Sequence, residues 1–175
     1  MSTPLRSMTA PDGFSCESAG GIWLIVAPLL REDLEGYLPG FEDLVRAARE
    51  AKSRAYTPYS RFHVGAAVVM DGTIFAGANV ENASYGATLC AERNAIAAAV
   101  AAGHRRLEIV AVSTSAPSGT AIEQRSPCGI CRQVISEFAG PGTLVVLDAG
   151  DGEDGRIQGE VIAFESLLPW RFRLG

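Results

Sequence analysis

The sequence lacks an apolar run long enough to cross a lipid bilayer. A membrane-spanning helix needs about 18 or more consecutive apolar residues, whereas the run over residues 22–30 is short and is interrupted by Pro28. Polar and charged residues at positions 12–17 precede that run, where a signal peptide would carry a basic segment. We therefore expect a cytoplasmic protein with no membrane partner.

Basic residues are also too few to suggest a nucleic-acid partner. The chain has 15 Lys and Arg against 20 Asp and Glu, which gives a formal net charge of −5. Proteins that bind a phosphate backbone present a basic face instead. The charge therefore argues against a polynucleotide partner and favours a small-molecule substrate.

Cysteine is scarce, because only four of the 175 residues are cysteine. Three of them, Cys90, Cys128 and Cys131, fall in two short motifs, which leaves only Cys16 elsewhere. A disulfide framework is therefore not expected. With 47% hydrophobic residues, a chain of this length suits one domain that buries about 70% of its unfolded surface.

The two cysteine motifs stand where helices are predicted to begin. Cys90 opens an alanine-rich run that extends to Ala102, and Pro127 sets the turn before the run over residues 129–138. A helix N-terminus carries about +0.5 of a charge, which favours the thiolate form of cysteine. Cys90, Cys128 and Cys131 are therefore the predicted ligands of one zinc ion per subunit.

Three protein ligands are typical of a zinc ion that keeps its fourth position open for water. Glu92 lies two residues after the first ligand, close enough to reach that water without being a ligand itself. The alternatives are a structural zinc knot, or buried cysteines beside a helical glutamate. A structural knot normally closes with four ligands and has no use for the acid. We therefore favour a catalytic centre.

The rest of the chain predicts alternating helices and strands. A first helix is indicated by Phe41, Leu44, Val45, Ala48 and Ala51, which recur at helical spacing. Strands are predicted over residues 62–70, 73–80, 107–113, 143–147 and 157–163, with Asp71-Gly72 as a hairpin turn and a Gly- and Asp-rich loop over residues 149–159. The predicted fold class is α/β, a three-layer α/β/α sandwich around a mixed sheet of about five strands.

Residues 1–40 show weak periodicity with several glycines and prolines. They fit an added strand, a packed arm or a partly disordered segment, and the sequence does not choose among these. We predict two regions, an N-terminal extension of uncertain structure over residues 1–40 and one zinc-dependent domain over residues 41–175.

Six short blocks, in order along the chain, match a known family. They are Pro58-Tyr-Ser60 with Phe62, Val64-Gly-Ala66, residues 79–85, Cys90-Ala-Glu-Arg93, residues 126–134, and Leu167-Leu-Pro169 followed by Phe172. The C-A-E and P-C-x-x-C motifs are typical of zinc-dependent deaminases. On these blocks, residues 41–175 resemble the small, homotetrameric cytidine deaminases. The resemblance implies the predicted sandwich, a Zn²⁺ cofactor, and hydrolytic deamination of cytidine and deoxycytidine to uridine and deoxyuridine.

The resemblance also implies a role for each matching residue. Glu92 is the expected catalytic proton shuttle, and Arg93 is expected to hydrogen-bond to zinc-bound sulfur, which offsets the −1 charge of three thiolates on Zn²⁺. The positions that match the family's substrate-binding residues are Phe62, Asn79, Glu81, Tyr85, Ala91, Ser126 and Phe172. Asn79 and Glu81 match the pair that holds the ribose 3′-hydroxyl, while the Ala91 N–H and the Ser126 C=O match the groups that read the base.

Three other functions stay open on the sequence. The nearest is a deaminase of a modified cytosine nucleoside, of the blasticidin-S type, which shares the metal motifs and the Leu-Leu-Pro segment. An editing deaminase that acts on RNA or DNA fits the acidic charge poorly. A non-catalytic zinc-binding subunit would have no use for Glu92. The Asn79 and Glu81 pair favours an unmodified ribose.

The C-terminal Phe172 predicts assembly. The matching phenylalanine of the family closes a neighbouring subunit's pocket, and an aromatic side chain so close to a chain end is hard to bury in its own domain. We therefore expect a homotetramer in which Phe172 contributes across a subunit boundary, and the alternative is a tail folded onto its own subunit. The resemblance implies a similar contribution from Tyr85, for which the alternative is a buried structural tyrosine.

Overall fold

The structure, a computed structural model, describes residues 41–117, 119–153 and 155–174 in full, and residues 16–19, 22–25 and 28–29 as backbone strands. Within these residues, no helix is long and apolar enough to span a membrane. The helices are α1 (Phe41–Lys52), α2 (Ala91–Ala101), α3 (Gly129–Phe138) and α4 (Phe164–Leu167), with 3-10 turns at Tyr85–Ala87 and Ile122–Gln124. The strands are β1 (Cys16–Ala19), β2 (Ile22–Ile25), β3 (Pro28–Leu29), β4 (Val64–Met70), β5 (Thr73–Ala78), β6 (Leu107–Thr114), β7 (Ala139–Asp151) and β8 (Ile157–Ala163).

The main sheet is mixed, as predicted. Its strand order is β3-β8-β7-β6-β4-β5, and β6 pairs in parallel with β7 while the other neighbours are antiparallel. Five longer strands agree with the predicted number, and the two-residue β3 extends the sheet beside β8. Residues 28–29 therefore form an added strand, while β1 and β2 pair with each other as a separate hairpin.

Helices cover both faces of the sheet, which confirms the three-layer sandwich. One face packs on α1 through a buried cluster that includes Phe41, Leu44, Val45, Ala67 and Ala111. The opposite face packs on α2, α3 and α4 through a larger cluster that includes Val68, Ile96, Val110, Val112, Ile135, Val145, Ile162 and Phe164. Successive residues of a strand point to opposite faces, which is why the sequence Val-Ala-Val at 110–112 serves both clusters.

Helix α1 buries the five residues that its spacing predicts. Phe41, Leu44, Val45, Ala48 and Ala51 are all buried, and the helix ends at Lys52, close to its predicted end near Arg54. Acidic residues occupy its first turn and basic residues its last turn, which complements the helix dipole. The hydrophobic period of this segment was therefore sufficient to place both the helix and its buried face.

Two glycines let helices approach the sheet closely. A Cβ added at Gly65 would lie 2.0 Å from the Ala48 carbonyl oxygen of α1, and one at Gly77 would lie 2.5 Å from the Ala95 nitrogen of α2. Both neighbours are backbone atoms that have no side-chain freedom to move aside. The absence of a side chain at each position therefore sets the distance of the helix from the sheet, and at Gly77 it positions the helix that carries Cys90.

The β4–β5 hairpin turns at Asp71-Gly72, as predicted, with positive φ at both residues. Its strands are shorter than predicted: β4 begins at Val64 rather than residue 62, and β5 ends at Ala78 rather than residue 80. The Asn79 side chain is the physical reason, because its amide accepts a hydrogen bond from Val64 N and donates one to Phe62 O, both at 2.9 Å. A side chain thus replaces the backbone ladder where the strands end.

Strand β7 is longer than predicted, and it includes residues 149–151 of the expected loop over residues 149–159. β7 runs to Asp151, and β8 begins at Ile157. The pairing shifts register between Asp148 and Gly150, where Gly150 has φ of 98° and donates its N–H to the Asp148 carboxylate at 3.0 Å. The glycine that suggested a loop instead allows a β-bulge.

The close approach at Gly65 predicts a large and local stability effect. Gly65→Ala should lower the free energy of unfolding by about 1–3 kcal/mol, because the new methyl group overlaps the backbone of α1. Gly140→Ala is the control, since a Cβ there meets nothing within 4 Å, and it should change stability by less than about 0.5 kcal/mol. Urea denaturation checks both variants, and equal midpoints would contradict the close packing.

Candidate active site and metal centre

Three cysteines converge at the start of two neighbouring helices. Cys90 is the N-cap residue of α2, Cys128 is the N-cap residue of α3, and Cys131 lies in the first turn of α3. Their sulfur atoms all lie within 4.8 Å of one another. The Cys90 and Cys128 sulfurs are 3.9 Å apart, and the Cys128 and Cys131 sulfurs are 3.6 Å apart. Among the described residues, these cysteines are the one group of three or more His, Cys, Asp or Glu side chains that lie close enough together to hold a metal ion.

The spacing of these sulfurs fits zinc. Zn–S bonds of about 2.3 Å at tetrahedral angles place two sulfur ligands about 3.8 Å apart, which lies between the two distances found here. Cys131 is buried, whereas Cys128 is exposed. The cluster therefore supplies three ligands from within the domain and leaves a fourth position on its open side.

Arg93 supplies the positive charge that a three-thiolate site requires. Its Nη2 lies 3.8 Å from the Cys90 sulfur and donates to the Thr88 carbonyl at 2.6 Å. Its Nε is buried with no hydrogen-bond partner among the described residues. A buried donor without a partner is costly, and an anionic cluster next to this guanidinium gives it a favourable environment. The predicted role of Arg93 is consistent with this geometry.

The thiols already share protons unequally. The pKa of Cys90 is lowered to about 5, because this sulfur accepts a hydrogen bond from Cys131 and a further one from Arg93. The same hydrogen bond to Cys90, together with burial, raises the pKa of Cys131. One thiolate is thus favoured before any metal binds, and a divalent cation would displace the remaining thiol protons.

Glu92 is a buried acid beside the cysteines. Only 4% of its surface is exposed, and it lies in the first turn of α2. Burial raises its pKa, and the negative charge at Cys90 raises it further. A carboxyl group whose pKa is raised by burial holds its proton more readily, so it can act as both proton donor and acceptor. The position of Glu92 beside the cysteines is consistent with its predicted role as a proton shuttle.

Asn79 and Glu81 lie on an extended segment beside this cluster. Val80, between them, pairs with both Tyr56 and Leu89 in isolated bridges, so both side chains leave the same side of the chain. The Glu81 carboxylate accepts hydrogen bonds from the Ser60 hydroxyl and from the backbone N–H groups of Tyr59 and Ser60. The Ser60 hydroxyl bond is the main reason that the pKa of Glu81 is lowered. Glu81 is therefore an ionised acceptor that also orders the loop before Phe62.

The other predicted substrate-binding residues fall into two groups. Ala91 is buried at the first position of α2, and Ser126 lies two residues before Cys128, so their backbone groups flank the cysteines. Phe62, Tyr85 and Phe172 instead expose 38%, 84% and 65% of their surfaces. The Phe172 carbonyl accepts a hydrogen bond from the Gln133 side chain at 3.1 Å, so the tail backbone lies along its own α3. The rings of Tyr85 and Phe172 remain largely uncovered within one chain.

Comparison with known proteins identifies the family. A family model described as the cytidine and deoxycytidylate deaminase zinc-binding region matches residues 41–147. The chain belongs to the cytidine deaminase family. The match includes Cys90, Cys128 and Cys131, so zinc is the cofactor of the family and these three side chains could hold it.

Individual relatives cover most of the chain. A curated cytidine deaminase from Halalkalibacterium halodurans is 43% identical over 132 residues, which are 74% of this chain and 91% of that protein. The solved structure of a cytidine deaminase from Burkholderia pseudomallei is 41% identical with a TM-score of 0.59, over 75% of this chain and 98% of that one. A blasticidin-S deaminase from Bacillus cereus is more distant, at 30% identity over 135 residues, or 74% of this chain and 90% of that protein.

One arginine of this cytidine deaminase site was not singled out from the sequence. Arg132 follows Cys131, and its guanidinium donates to Pro127 O at 2.8 Å, to Ser126 Oγ at 3.0 Å and to Leu167 O at 3.2 Å. It thereby fixes the segment before Cys128 and joins that segment to α4. The C-x-x-C-R motif could have indicated this role. Arg132 lies one helical turn after Cys128 and therefore on the same side of α3.

Loss of one ligand should remove the metal. We expect wild-type protein to hold one zinc per chain and Cys128→Ala to hold far less, because two thiolates bind zinc much more weakly than three. Cys128 is exposed, so its truncation leaves the core unchanged. Metal analysis after dialysis checks this, with Cys16→Ala as the control cysteine that should keep full zinc. Full zinc in Cys128→Ala would contradict the ligand assignment.

Proposed function

We propose that this chain catalyses the hydrolytic deamination of cytidine and deoxycytidine to uridine and deoxyuridine, with release of ammonia. The observation that carries the proposal is the buried Glu92 carboxyl beside three cysteines that leave one metal position open. The curated relative and the solved structure that are named cytidine deaminase support the same reaction. A purely structural zinc site would need neither the open position nor the acid.

The chemistry follows from the proton that Glu92 can hold. Zinc, held by Cys90, Cys128 and Cys131, would lower the pKa of a water molecule from about 15.7 toward about 7. Glu92 would accept a proton from a water molecule at the site and donate it to N3 of the pyrimidine as the water oxygen bonds to C4. Glu92 then moves the remaining hydroxyl proton to the 4-amino group, and the C4–N bond breaks to release ammonia. A group that acts in this way typically contributes about 10²- to 10⁴-fold to the rate.

The backbone and the extended segment would orient the nucleoside. The Ala91 N–H at the start of α2 would donate a hydrogen bond to the polar edge of the base, and the Ser126 C=O would accept one from it. The Phe62 ring would pack against the face of the base. Asn79 Nδ2 donates one proton to Phe62 O and has a second proton for the ribose 3′-hydroxyl. Glu81, as an ionised acceptor, can receive the proton of that hydroxyl. This pairing needs a 3′-hydroxyl, so it favours an unmodified sugar and a nucleoside over a free base.

A substrate panel tests the function. Cytosine, cytidine, deoxycytidine, CMP and blasticidin S are each incubated with zinc-loaded protein, and absorbance loss and ammonia release are followed. We expect turnover of cytidine and deoxycytidine. Preference for blasticidin S would support the alternative that the Bacillus cereus relative represents. Turnover of none of the five compounds would reject both deaminase assignments.

Replacement of the acid should separate chemistry from metal binding. Glu92→Gln should keep the fold and the zinc but lose at least about 10²-fold in kcat, because an amide cannot accept a proton from the bound water. Glu123→Gln is a matched control at an exposed position of the 3-10 turn Ile122–Gln124 and should behave as wild type. Steady-state kinetics and metal analysis on the same samples check this. Activity of Glu92→Gln within tenfold of wild type would contradict the assigned role.

Assembly, domain limits and location are part of the proposal. We propose a homotetramer, because Tyr85, Ile130, Trp170 and Phe172 present exposed apolar surface, and such surface usually meets a partner. Residues 41–175 would form the catalytic domain, and residues 1–40 an extension that lies largely outside the described residues. The proposed location is the cytoplasm, because three ligand thiols must stay reduced to bind zinc.

Mixed assemblies test whether Phe172 acts in a neighbouring subunit. Phe172→Ala and Glu92→Ala should each be nearly inactive alone, yet an equal mixture refolded together should regain about a quarter of wild-type activity by random assortment in a closed oligomer. A site is restored where a subunit that keeps Glu92 receives Phe172 from its neighbour. Arg173→Ala, at the adjacent exposed position, is the control and should stay active. No recovery in verified mixed oligomers, or a monomer in sedimentation, would contradict the shared site.

A further inference from the structure

The segment that carries Cys128 has little regular structure of its own. Residues 115–128 connect β6 to α3, and their described part contains only the 3-10 turn Ile122–Gln124. This segment must nevertheless hold Cys128 at the metal position and the Ser126 carbonyl at the proposed substrate position. Irregular backbone keeps such geometry only when side chains anchor it to a rigid element.

Arg125 provides such an anchor. Its Nε donates to Thr120 O at 2.8 Å, which closes the loop on itself. Its Nη2 lies 2.9 Å from both carboxylate oxygens of Glu160, and its Nη1 lies 3.5 Å from Asp148 O. One guanidinium therefore joins the loop to two strands, β8 and β7.

Glu160, the partner of Arg125, lies in the middle of a paired strand. Glu160 lies in β8 and pairs with Leu147 of β7 on one side and with Pro28 of β3 on the other. The side chains of Arg125 and Glu160 are only 10% and 21% exposed. Loss of either partner would leave the other charge mostly buried and unpaired, which is strongly unfavourable.

The anchor acts one residue before the proposed substrate-binding carbonyl. Arg125 precedes Ser126, and the N–H groups of both residues donate to Ile122 O, at 3.1 and 2.8 Å. On its other side Ser126 is held by Arg132, which donates to Ser126 Oγ and to Pro127 O. Two guanidinium groups, one tied to the sheet and one to α3, thus fix the peptide between them.

We propose that Arg125 is a positioning residue that acts through Glu160 to hold the Ser126 carbonyl and Cys128 in place. This inference rests on the proposed deaminase function for the role of Ser126, but not for the effect on Cys128. A salt bridge that only added stability would be interchangeable with any other of similar burial. Arg125 differs from such a pair because the segment that it anchors, residues 115–128, carries both Ser126 and Cys128.

The test compares Arg125→Met with Arg49→Met. Arg49 is the matched control, because its guanidinium binds Asp148 at 2.7 and 2.8 Å and is 26% exposed, but it extends from α1 on the other face of the sheet. Both variants should lower the melting temperature. Only Arg125→Met should speed zinc release to a chelator, by about tenfold, and speed hydrogen exchange at the Ser126 amide by a similar factor. It should also lower kcat/KM for cytidine, whereas Arg49→Met should not.

Equal zinc-release and exchange rates in the two variants would overturn the proposal. Two milder changes keep the comparison possible if Arg125→Met does not fold. Glu160→Gln keeps the shape but removes the charge, and Arg125→Lys keeps the charge but loses the fork that reaches Thr120 and Glu160 together. Both should release zinc faster than wild type, and unchanged release in both would also overturn it.

The same measurements separate this proposal from the proposed function. Zinc release and amide exchange require no substrate, so they decide the role of Arg125 even if the wild-type protein turns over no nucleoside. In the double variant Arg125→Met with Glu160→Gln, zinc release should be no faster than in Arg125→Met alone, because partners in one interaction are not additive. Additive rates would show that the two residues act separately.

Discussion

Three cysteine sulfurs held within 4.8 Å of one another are the constraint on which the rest of the site depends. Three thiolates would repel each other without compensating charge, so the protein must supply favourable surroundings before the metal arrives. The starts of α2 and α3 provide partial positive charge, and Arg93 provides a full one beside Cys90. The same arrangement places Glu92 in the first turn of α2, where burial keeps its proton affinity high. Metal and acid are therefore set by a single local geometry.

The sheet determines where these helices begin. Gly77 allows α2 to lie against β5 with backbone contact. The Asn94 side chain of α2 donates a hydrogen bond to Ala78 O at 2.7 Å, which joins the end of β5 to the helix that begins at Cys90. Asn79 follows immediately, with its amide bonded to the start of β4. The metal cluster and the proposed ribose-binding pair are thus connected through one strand end. A shift of α2 along the sheet would move both.

The parts of the site that could be predicted are those written in local patterns. The zinc ligands could be predicted because the cysteines stand in short motifs where helices begin. Helix α1 could be predicted from the spacing of its apolar residues. Both signals depend on residues that are only a few positions apart. Arg125 could not be assigned this way, since Glu160 lies 35 positions further along the chain and an arginine before a turn is ordinary. The course of β7 through Gly150 was also missed, because glycine permits both a loop and a bulge and the neighbouring strand decides between them. Pairings between distant segments are what local patterns do not contain.

The parallel pairing of β6 with β7 has a consequence for how the protein acquires its metal. Cys90 comes before β6 in the chain, while Cys128 and Cys131 belong to the crossover that returns from β6 to β7. The crossover can lie beside α2 only when β6 has been inserted between β4 and β7. The complete ligand set therefore depends on the pairing of β6 with both β4 and β7. By mass action, an ion bound to the three cysteines stabilises that pairing as well as the site itself.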